Sequence, residues 1–241
     1  MPSFVPETIF HIGFFPITNT ILDTLLIDCI IIGGVFYLSK KLTLIPNNPL
    51  QNVMEYVIET FYSLTESVAQ HAAAKIFPYF MSFFLFILLI NWSNLIPGVG
   101  TIGLRENGEL IPLFRGATSD LNVTLGLALI SAVATHMLSI KTIGIKDYLS
   151  RYFSFNPINL FIGVLEIISE ITKIVSLSFR LFGNIFAGEV VLLTVSSIFA
   201  FIFPLPFLML EVIVGVVQAL VFSMLTMVFM AILTTSHKET H

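Results

Sequence analysis

The chain has 241 residues, of which 56% are hydrophobic and only 11% charged, and its mean hydropathy is +0.95. Soluble domains carry about 25% charged residues, so this composition excludes an ordinary soluble fold and indicates an integral membrane protein. The net charge of −4 is small and its charges are scattered, which argues against nucleic-acid binding. The single cysteine, Cys29, excludes an internal disulfide and a paired-cysteine metal or redox site.

Apolar segments long enough to cross a bilayer come early in the chain. A hydrocarbon core about 30 Å thick requires about 20 apolar residues of helix. Three spans are predicted on this basis, at 21–38, 77–96 and 121–140. The first is slightly polar, because it contains Asp23 and Asp28. Residues 49–75 set three glutamates among apolar residues at helical spacing, which is typical of an amphipathic helix at the membrane surface.

Basic residues predict the orientation, because cytoplasmic loops of membrane proteins carry an excess of lysine and arginine. Seven basic residues fall on one side of the predicted spans: Lys40, Lys41, Lys75, Lys141, Lys146, Arg151 and Lys238. Only Arg105 and Arg115 fall on the other side. We therefore expect the N-terminus outside and the C-terminus in the cytoplasm.

The last third of the chain contains one very long apolar segment, 158–203, without an internal proline. As a single helix its 46 residues would be about 69 Å long. The simplest solution is one oblique helix, tilted by about 60°, beside a returning helix at 207–233 that follows the Pro204-Leu205-Pro206 break. The predicted fold is an all-α membrane protein with a single domain over 1–241, about five membrane helices and one amphipathic surface helix.

This long segment and its partner helix contain ionisable residues at membrane depth. Each costs about 2.5–3.5 kcal/mol on insertion scales and marks a functional site by default. They are Glu166, Glu170, Lys173, Arg180, Glu189 and, on the last helix, Glu211. A structural interpretation is open for three of them, because Glu166 and Glu170 can pair with Lys173 at i+7 and i+3 spacing.

Arg180 stands apart, since no acidic residue lies three or four positions away from it. An arginine keeps its charge in any accessible environment. On a helical wheel Asn184 and Ala187 lie within about 40° of Arg180, so the three form one face with a cation, an amide and a small residue. Glu189 lies on the opposite side of this helix.

Glu211 and Gln218 on the last helix share a face at i+7 spacing, with Gly215 between them. Together with Glu189 they offer two carboxylates and an amide that could relay protons along a polar crevice. Five more polar residues lie near the outer ends of the middle spans, where simple helix capping is an equally good explanation. These are Asn91, Asn94, Asp120, Asn122 and Thr124.

The run SFRLFGNIFAGE at 178–189 resembles the signature of subunit a of F-type ATP synthase. Other matching motifs are FHIGFFPITNT near the start, SDLNVTL at 119–125, FNPINL at 155–160 and VVQALVF late in the chain. The resemblance therefore covers nearly the whole sequence. It implies that Arg180 faces the ion-carrying carboxylate of the rotating c-ring, with Asn184 and Gln218 close to it.

The resemblance also implies roles for the acidic residues. Glu189 and Glu211 would belong to the half-channel open to the outside, with Glu211 at a position where relatives carry histidine or glutamate. Asp120 and Asn122 would form the polar mouth of that channel, and Glu166 would lie near the inner half-channel. Lys173 has a basic counterpart in relatives and is interpreted as structural.

The implied function is that of a stator subunit, which carries protons through two offset half-channels to and from the c-ring and so couples an ion gradient to ATP synthesis. The expected partners are the c-ring proteolipids, subunit b of the peripheral stalk, the rest of the ATP synthase and membrane lipid, without nucleic acid. No catalytic site, cofactor or metal is expected in this chain. The expected location is a bacterial inner membrane.

Two other functions compete with this one. A self-contained secondary transporter remains the alternative; it would have two repeats and a midplane site on broken helices, and no internal repeat is found. A membrane-embedded enzyme would need a recognisable catalytic motif, and neither HExxH nor a nucleophile elbow occurs. His136, late in an apolar span, is interpreted as a packed interface residue.

Overall fold

The computed structural model describes residues 7–12, 15–43, 49–96, 103–106, 109–113, 115–152, 157–198 and 204–234. Most of these residues lie in seven helices: α1 (Asn19–Ser39), α2 (Pro49–Ala69), α3 (Ala73–Ser93), α4 (Leu121–Ile143), α5 (Ile145–Tyr152), α6 (Pro157–Ile198) and α7 (Pro204–Thr234). Two short antiparallel hairpins, which the sequence did not predict, pair β1 (Thr8–Ile12) with β2 (Phe15–Thr18) and β3 (Gly103–Glu106) with β4 (Glu109–Pro112). Within the described ranges the chain is helical without a sheet core, which confirms the predicted all-α membrane fold.

Four helical stretches of the described chain are long and apolar enough to cross a membrane. They are Asn19–Ser39, Gln51–Ser93, Leu121–Ile143 and Pro204–Thr234. They contain the predicted spans 21–38, 121–140 and 207–233 and most of 77–96. Helix α6 corresponds to the remaining predicted membrane helix, 158–203. It carries five charged side chains, and its length and composition alone do not mark it as a span.

Helix α6 is a single element of 42 residues that runs through Gly183 and Gly188 without a break. It corresponds to the predicted helix 158–203, of which the last five residues lie outside the described ranges, as does the C-terminal Lys238. Helix α7 begins at Pro204, three residues before the predicted start at 207. The reason is that the first turn of a helix tolerates proline, since its N–H groups have no intrahelical acceptor.

The predicted surface helix 49–75 divides into two helices in the structure. Helix α2 ends at Ala69, a 3₁₀ turn follows at Gln70–Ala72, and residues 73–75 already belong to α3. Gln70 has a φ of 45°, in the left-handed region that rarely suits a residue with a side chain. This local conformation separates α2 from α3, and the glutamate spacing that predicted the helix gives no sign of it.

Contacts group the chain into two compact units. The first comprises Met1–Lys40, Phe84–Thr124 and Phe179–Leu220, and the second Lys41–Phe83, Leu125–Ser178 and Val221–His241. In the first unit, α1 buries one face and exposes most of the remainder. The buried residues of α1 are Asn19, Thr20, Asp23 and Ile27. Ile27 packs with Ile90 of α3 and Ala117, while the three polar residues meet the segment that precedes α4.

The second unit has its core where α2, α3, α4 and α7 meet. The buried members of this core are Ala69, Ala73, Ile76, Phe80, Leu138, Met227, Met230 and Ala231. Hydroxyl groups also join α4 to α7: Ser131 and Thr226 lie 2.9 Å apart, and Ser139 donates to the carbonyl of Leu233 at 2.7 Å. Small residues and interhelical hydrogen bonds are what hold membrane helices together, because lipid supplies no hydrophobic force between them.

Candidate functional site

An exposed face on α6 in the first unit carries the arginine singled out by the sequence. Arg180, Asn184 and Ala187 are all exposed, whereas Leu181 and Ile185, on the other side of the same turns, are buried. The three exposed residues are those that the helical wheel grouped together. A second surface can therefore approach a permanent cation, an amide and a small side chain on one face.

Gln218 of α7 fixes the backbone at the level of this arginine. Its Nε2 donates a hydrogen bond to the main-chain carbonyl of Arg180 at 2.6 Å, and its side chain is buried. A carbonyl oxygen has two lone pairs, so it can accept this bond in addition to its helical one. Gln218 thus holds α7 against α6 through the backbone and leaves the guanidinium to other contacts.

Glu189 and Glu211 come together on the buried side of the same two helices. Glu211 is 8% exposed, and a Cβ atom on Gly188 would overlap its Oε1, so the carboxylate packs directly on that glycine. The charges of Glu189 and Glu211 act on each other. Oε2 of Glu189 is buried without a hydrogen-bond donor among the described residues. Because a buried, unpaired carboxylate is costly, this arrangement suits groups that take up and release protons.

The end of α3 packs onto α7 beside these residues. Asn91 donates to the carbonyl of Gly215 at 3.3 Å, and the indole N–H of Trp92 donates to the carbonyl of Val212 at 3.4 Å. Gly215 permits this approach, since a Cβ atom there would lie 3.3 Å from Cβ of Asn91. Oδ1 of Asn91 is itself buried without a partner in the part of the chain described. Asn91 therefore brings a further amide to the face that carries Glu211 and Gln218.

Asp120 caps α4 and also reaches α1. Its Oδ1 accepts the backbone N–H of Asn122 at 2.9 Å, and its Oδ2 accepts the hydroxyl of Thr20 at 3.4 Å. Asn122 itself is exposed. Capping, which the sequence left open as an explanation, is thus present for Asp120.

Asp23 is the residue of this site that the sequence reasoning missed. It is 3% exposed, and its Oδ2 accepts the hydroxyl of Ser93 at 3.2 Å and the backbone N–H of Ala117 at 3.4 Å. In the sequence analysis Asp23 was noted only as a residue that makes the first predicted span slightly polar. The signal that could have found it is general, because an ionisable residue inside a predicted membrane helix points to a specific partner.

Glu166 belongs to the second unit, where it forms an ion pair with Arg151 of α5 at 2.5 Å. Lys173 pairs instead with Glu170 at 2.8 Å. The structural interpretation therefore holds for the i+3 pair, and Arg151 replaces Lys173 as the partner of Glu166. The sequence could not indicate this, because it did not predict α5. Among the described residues no group of three or more histidine, cysteine, aspartate or glutamate side chains could hold a metal ion.

A sequence model of the ATP synthase A chain family matches residues 21–231. The chain belongs to this family. ATP synthase subunit a of Moorella thermoacetica is 32% identical over 232 residues, which cover 96% of this chain and 98% of that protein. ATP synthase subunit a 2 of Pelobacter propionicus is also 32% identical, over 93% of this chain and 90% of its own length. Subunit a of Legionella pneumophila (strain Philadelphia 1) is 31% identical, over 95% of this chain and 92% of its own length.

Family membership confirms the resemblance seen in the signature around Arg180. It supports a role in the membrane sector of ATP synthase and, together with the apolar helices, shows an integral membrane protein. The matched region, 21–231, contains the residues that the sequence assigned to the proton path, from Asp120 to Gln218.

Proposed function

We propose that this chain is the stator subunit that passes protons to and from the c-ring of an F-type ATP synthase through two offset half-channels. The observation that carries the proposal is the exposed face of Arg180, Asn184 and Ala187, which lies on the same helix as the half-buried Glu189, whose Oε2 is buried. One helix thus presents a fixed cation outward and a carboxylate inward. That is the arrangement needed to join a proton path to a moving partner.

The outer half-channel is proposed to run from Asp120 and Asn122 past Glu189 and Glu211. Its proton neutralises a carboxylate on the partner ring, and the neutral carboxyl can then turn into lipid, because it no longer carries a charge that must be desolvated. After nearly a full turn the proton leaves through the inner half-channel, to which Glu166 is assigned. Gln218 and Asn184 position the helix and the polar surface beside the arginine.

Arg180 separates the two half-channels in this proposal. A cation next to a carboxylate favours its deprotonated form, so Arg180 promotes proton release from the ring. It also repels a proton that would pass directly from one channel to the other. Each charge that crosses 100 mV represents about 2.3 kcal/mol, so a leak at this point would waste the gradient.

The proposed assembly includes the c-ring proteolipids, subunit b of the peripheral stalk and the remaining ATP synthase subunits, surrounded by lipid. The proposed location is a bacterial inner membrane, in line with the bacterial origin of the relatives. The basic residues support an orientation with the N-terminus outside and the C-terminus in the cytoplasm.

Cross-linking tests whether the Arg180 face meets the proteolipid. Cys29 is the only cysteine, so Cys29→Ser gives a background in which new cysteines report single positions. Ala187→Cys should form cross-links to a cysteine placed beside the ring carboxylate of the co-purified proteolipid. Leu181→Cys is the matched control, because Leu181 is 0% exposed on the same helix. Equal cross-linking from both positions, or none from Ala187→Cys, would count against the proposal.

A further inference from the structure

A cluster of titratable side chains joins α4, α5 and α6 within the second unit, and its centre is His136. The Nδ1 of His136 lies 3.0 Å from the hydroxyl of Tyr148, and its Nε2 lies 3.8 Å from Oε2 of Glu170. The other oxygen of Glu170 accepts a hydrogen bond from Lys173 at 2.8 Å. Both ring nitrogens of one histidine therefore face groups that exchange protons.

The cluster is only partly open to solvent. The side chains of His136 and Glu170 are 28% and 14% exposed, and the ammonium of Lys173 lies 4.6 Å from the ring centroid of Phe229 on α7. Tyr148 is half-buried. The polar route therefore runs from a shielded carboxylate to a half-buried tyrosine.

Helix α5 is held firmly enough to keep Tyr148 in place. A Cβ atom on Gly163 would overlap the carbonyl of Tyr152, so α5 sits directly on α6 at this glycine. The rings of Tyr148 and Tyr152 lie 5.3 Å apart. Burial raises the pKa of Tyr152, so its hydroxyl stays neutral beside the cluster.

The two glutamates of this region differ in what faces them. Glu166 is paired with Arg151, whose charge is permanent. Glu170 faces Lys173 and also a histidine, whose imidazole can both accept and donate a proton. Glu170 is thus the carboxylate of this region with a neighbouring base.

We propose that His136 is a proton-relay residue between Glu170 and Tyr148, on the inner side of the proton path; this rests on the function proposed above. The carboxyl group of protonated Glu170 gives its proton to Nε2 of His136, which becomes an imidazolium. The imidazolium then releases its Nδ1 proton past the Tyr148 hydroxyl to solvent. Glu170 ends as a carboxylate and His136 as a neutral ring with its proton on Nε2, so one proton leaves for each proton received. A ring flip or tautomer exchange returns the ring proton to Nδ1 before the next transfer. The approach from 3.8 Å to hydrogen-bond distance requires a small side-chain movement.

The test uses the complete ATP synthase containing this chain, reconstituted in lipid vesicles. Proton flux through the membrane sector is measured while the pH on the inner face varies from about 5 to 9 and the outer pH stays constant. Wild-type flux should fall in acid with an inflection, because a charged imidazole cannot accept a proton. His136→Gln should lower the flux by about tenfold or more and abolish the inflection. Glu170→Gln should do the same, and the double variant should be no worse than either.

His71→Gln is the matched control, since His71 is an exposed histidine of the 3₁₀ turn at Gln70–Ala72 in the same unit. It should keep the wild-type rate and pH profile. An unchanged profile in His136→Gln, or an even loss of flux that retains the inflection, would overturn the relay. If His136→Gln does not assemble, Glu170→Gln decides the question by the same profile. Absence of flux in the wild-type complex would instead refute the proposed function itself.

Discussion

Gly188 determines how closely α6 and α7 approach beside the two carboxylates of the first unit. A methyl group at this position would occupy the place of Oε1 of Glu211. Glycine is required here by the close contact rather than by backbone conformation, because Gly188 lies inside a continuous helix. The absence of a side chain at Gly188 thus lets Glu211 pack against α6 one residue before Glu189.

Gly188→Ala should slow proton flux by roughly tenfold to hundredfold, because a displacement of about 1 Å in a positioned group has effects of this size. The measurement is ATP-driven proton pumping by the reconstituted complex. Glu211→Asp, shorter by one methylene, should restore part of the flux in the Gly188→Ala background. Gly126→Ala on α4 is the control, since nothing lies within 4 Å of a Cβ atom there. Wild-type pumping by Gly188→Ala would show that this contact has no role.

Helix α1 is attached to the first unit by a polar face. Asn19 donates to the carbonyl of Pro112 at 3.5 Å, Thr20 donates to Asp120, and Asp23 accepts from Ser93 and Ala117. These bonds hold the segment that leads into α4. Polar side chains of a membrane helix need hydrogen-bond partners within the protein, because the surrounding lipid offers none.

Asp23→Ala should leave the N–H of Ala117 without its acceptor, at a cost of about 1–3 kcal/mol. The hydroxyl of Ser93 keeps the carbonyl of Ile90 as an acceptor at 2.9 Å. Faster hydrogen exchange at the amide of Ala117 and a lower thermal midpoint of the solubilised complex should result. Asp23→Asn keeps an acceptor oxygen and should lose less. Asp28→Ala is the control on the same helix, because Asp28 is exposed. Equal exchange in both alanine variants would refute the anchoring role of Asp23.

How far the sequence predicted these elements depends on the kind of signal. The long helices follow from apolar runs, and the common face of Arg180, Asn184 and Ala187 follows from helical periodicity, while its exposure is seen only in the structure. The partner of Glu166 could not be predicted, because Arg151 lies on the short helix α5 that no apolar run marks. Asp23 was overlooked for a similar reason, since its partners lie 70 and 94 residues away.

The protein consists mainly of apolar helices, and a few charged side chains on them contact specific neighbours. Glu189 and Glu211 lie together in the first unit, while Glu166, Glu170 and His136 lie in the second. Many large hydrophobic side chains are exposed on the helices, as expected for a chain surrounded by lipid. The proposed function requires a partner ring, so the decisive experiments use the complete complex.

ATP-driven proton pumping by complexes with Arg180→Ala tests most directly whether this arginine separates the two half-channels. Pumping should be abolished while the assembled membrane sector leaks protons passively, because no cation then lies between the half-channels. Lys141→Ala removes an exposed cation at the end of α4 and should leave both properties unchanged. Intact pumping by Arg180→Ala, without added leak, would contradict the account.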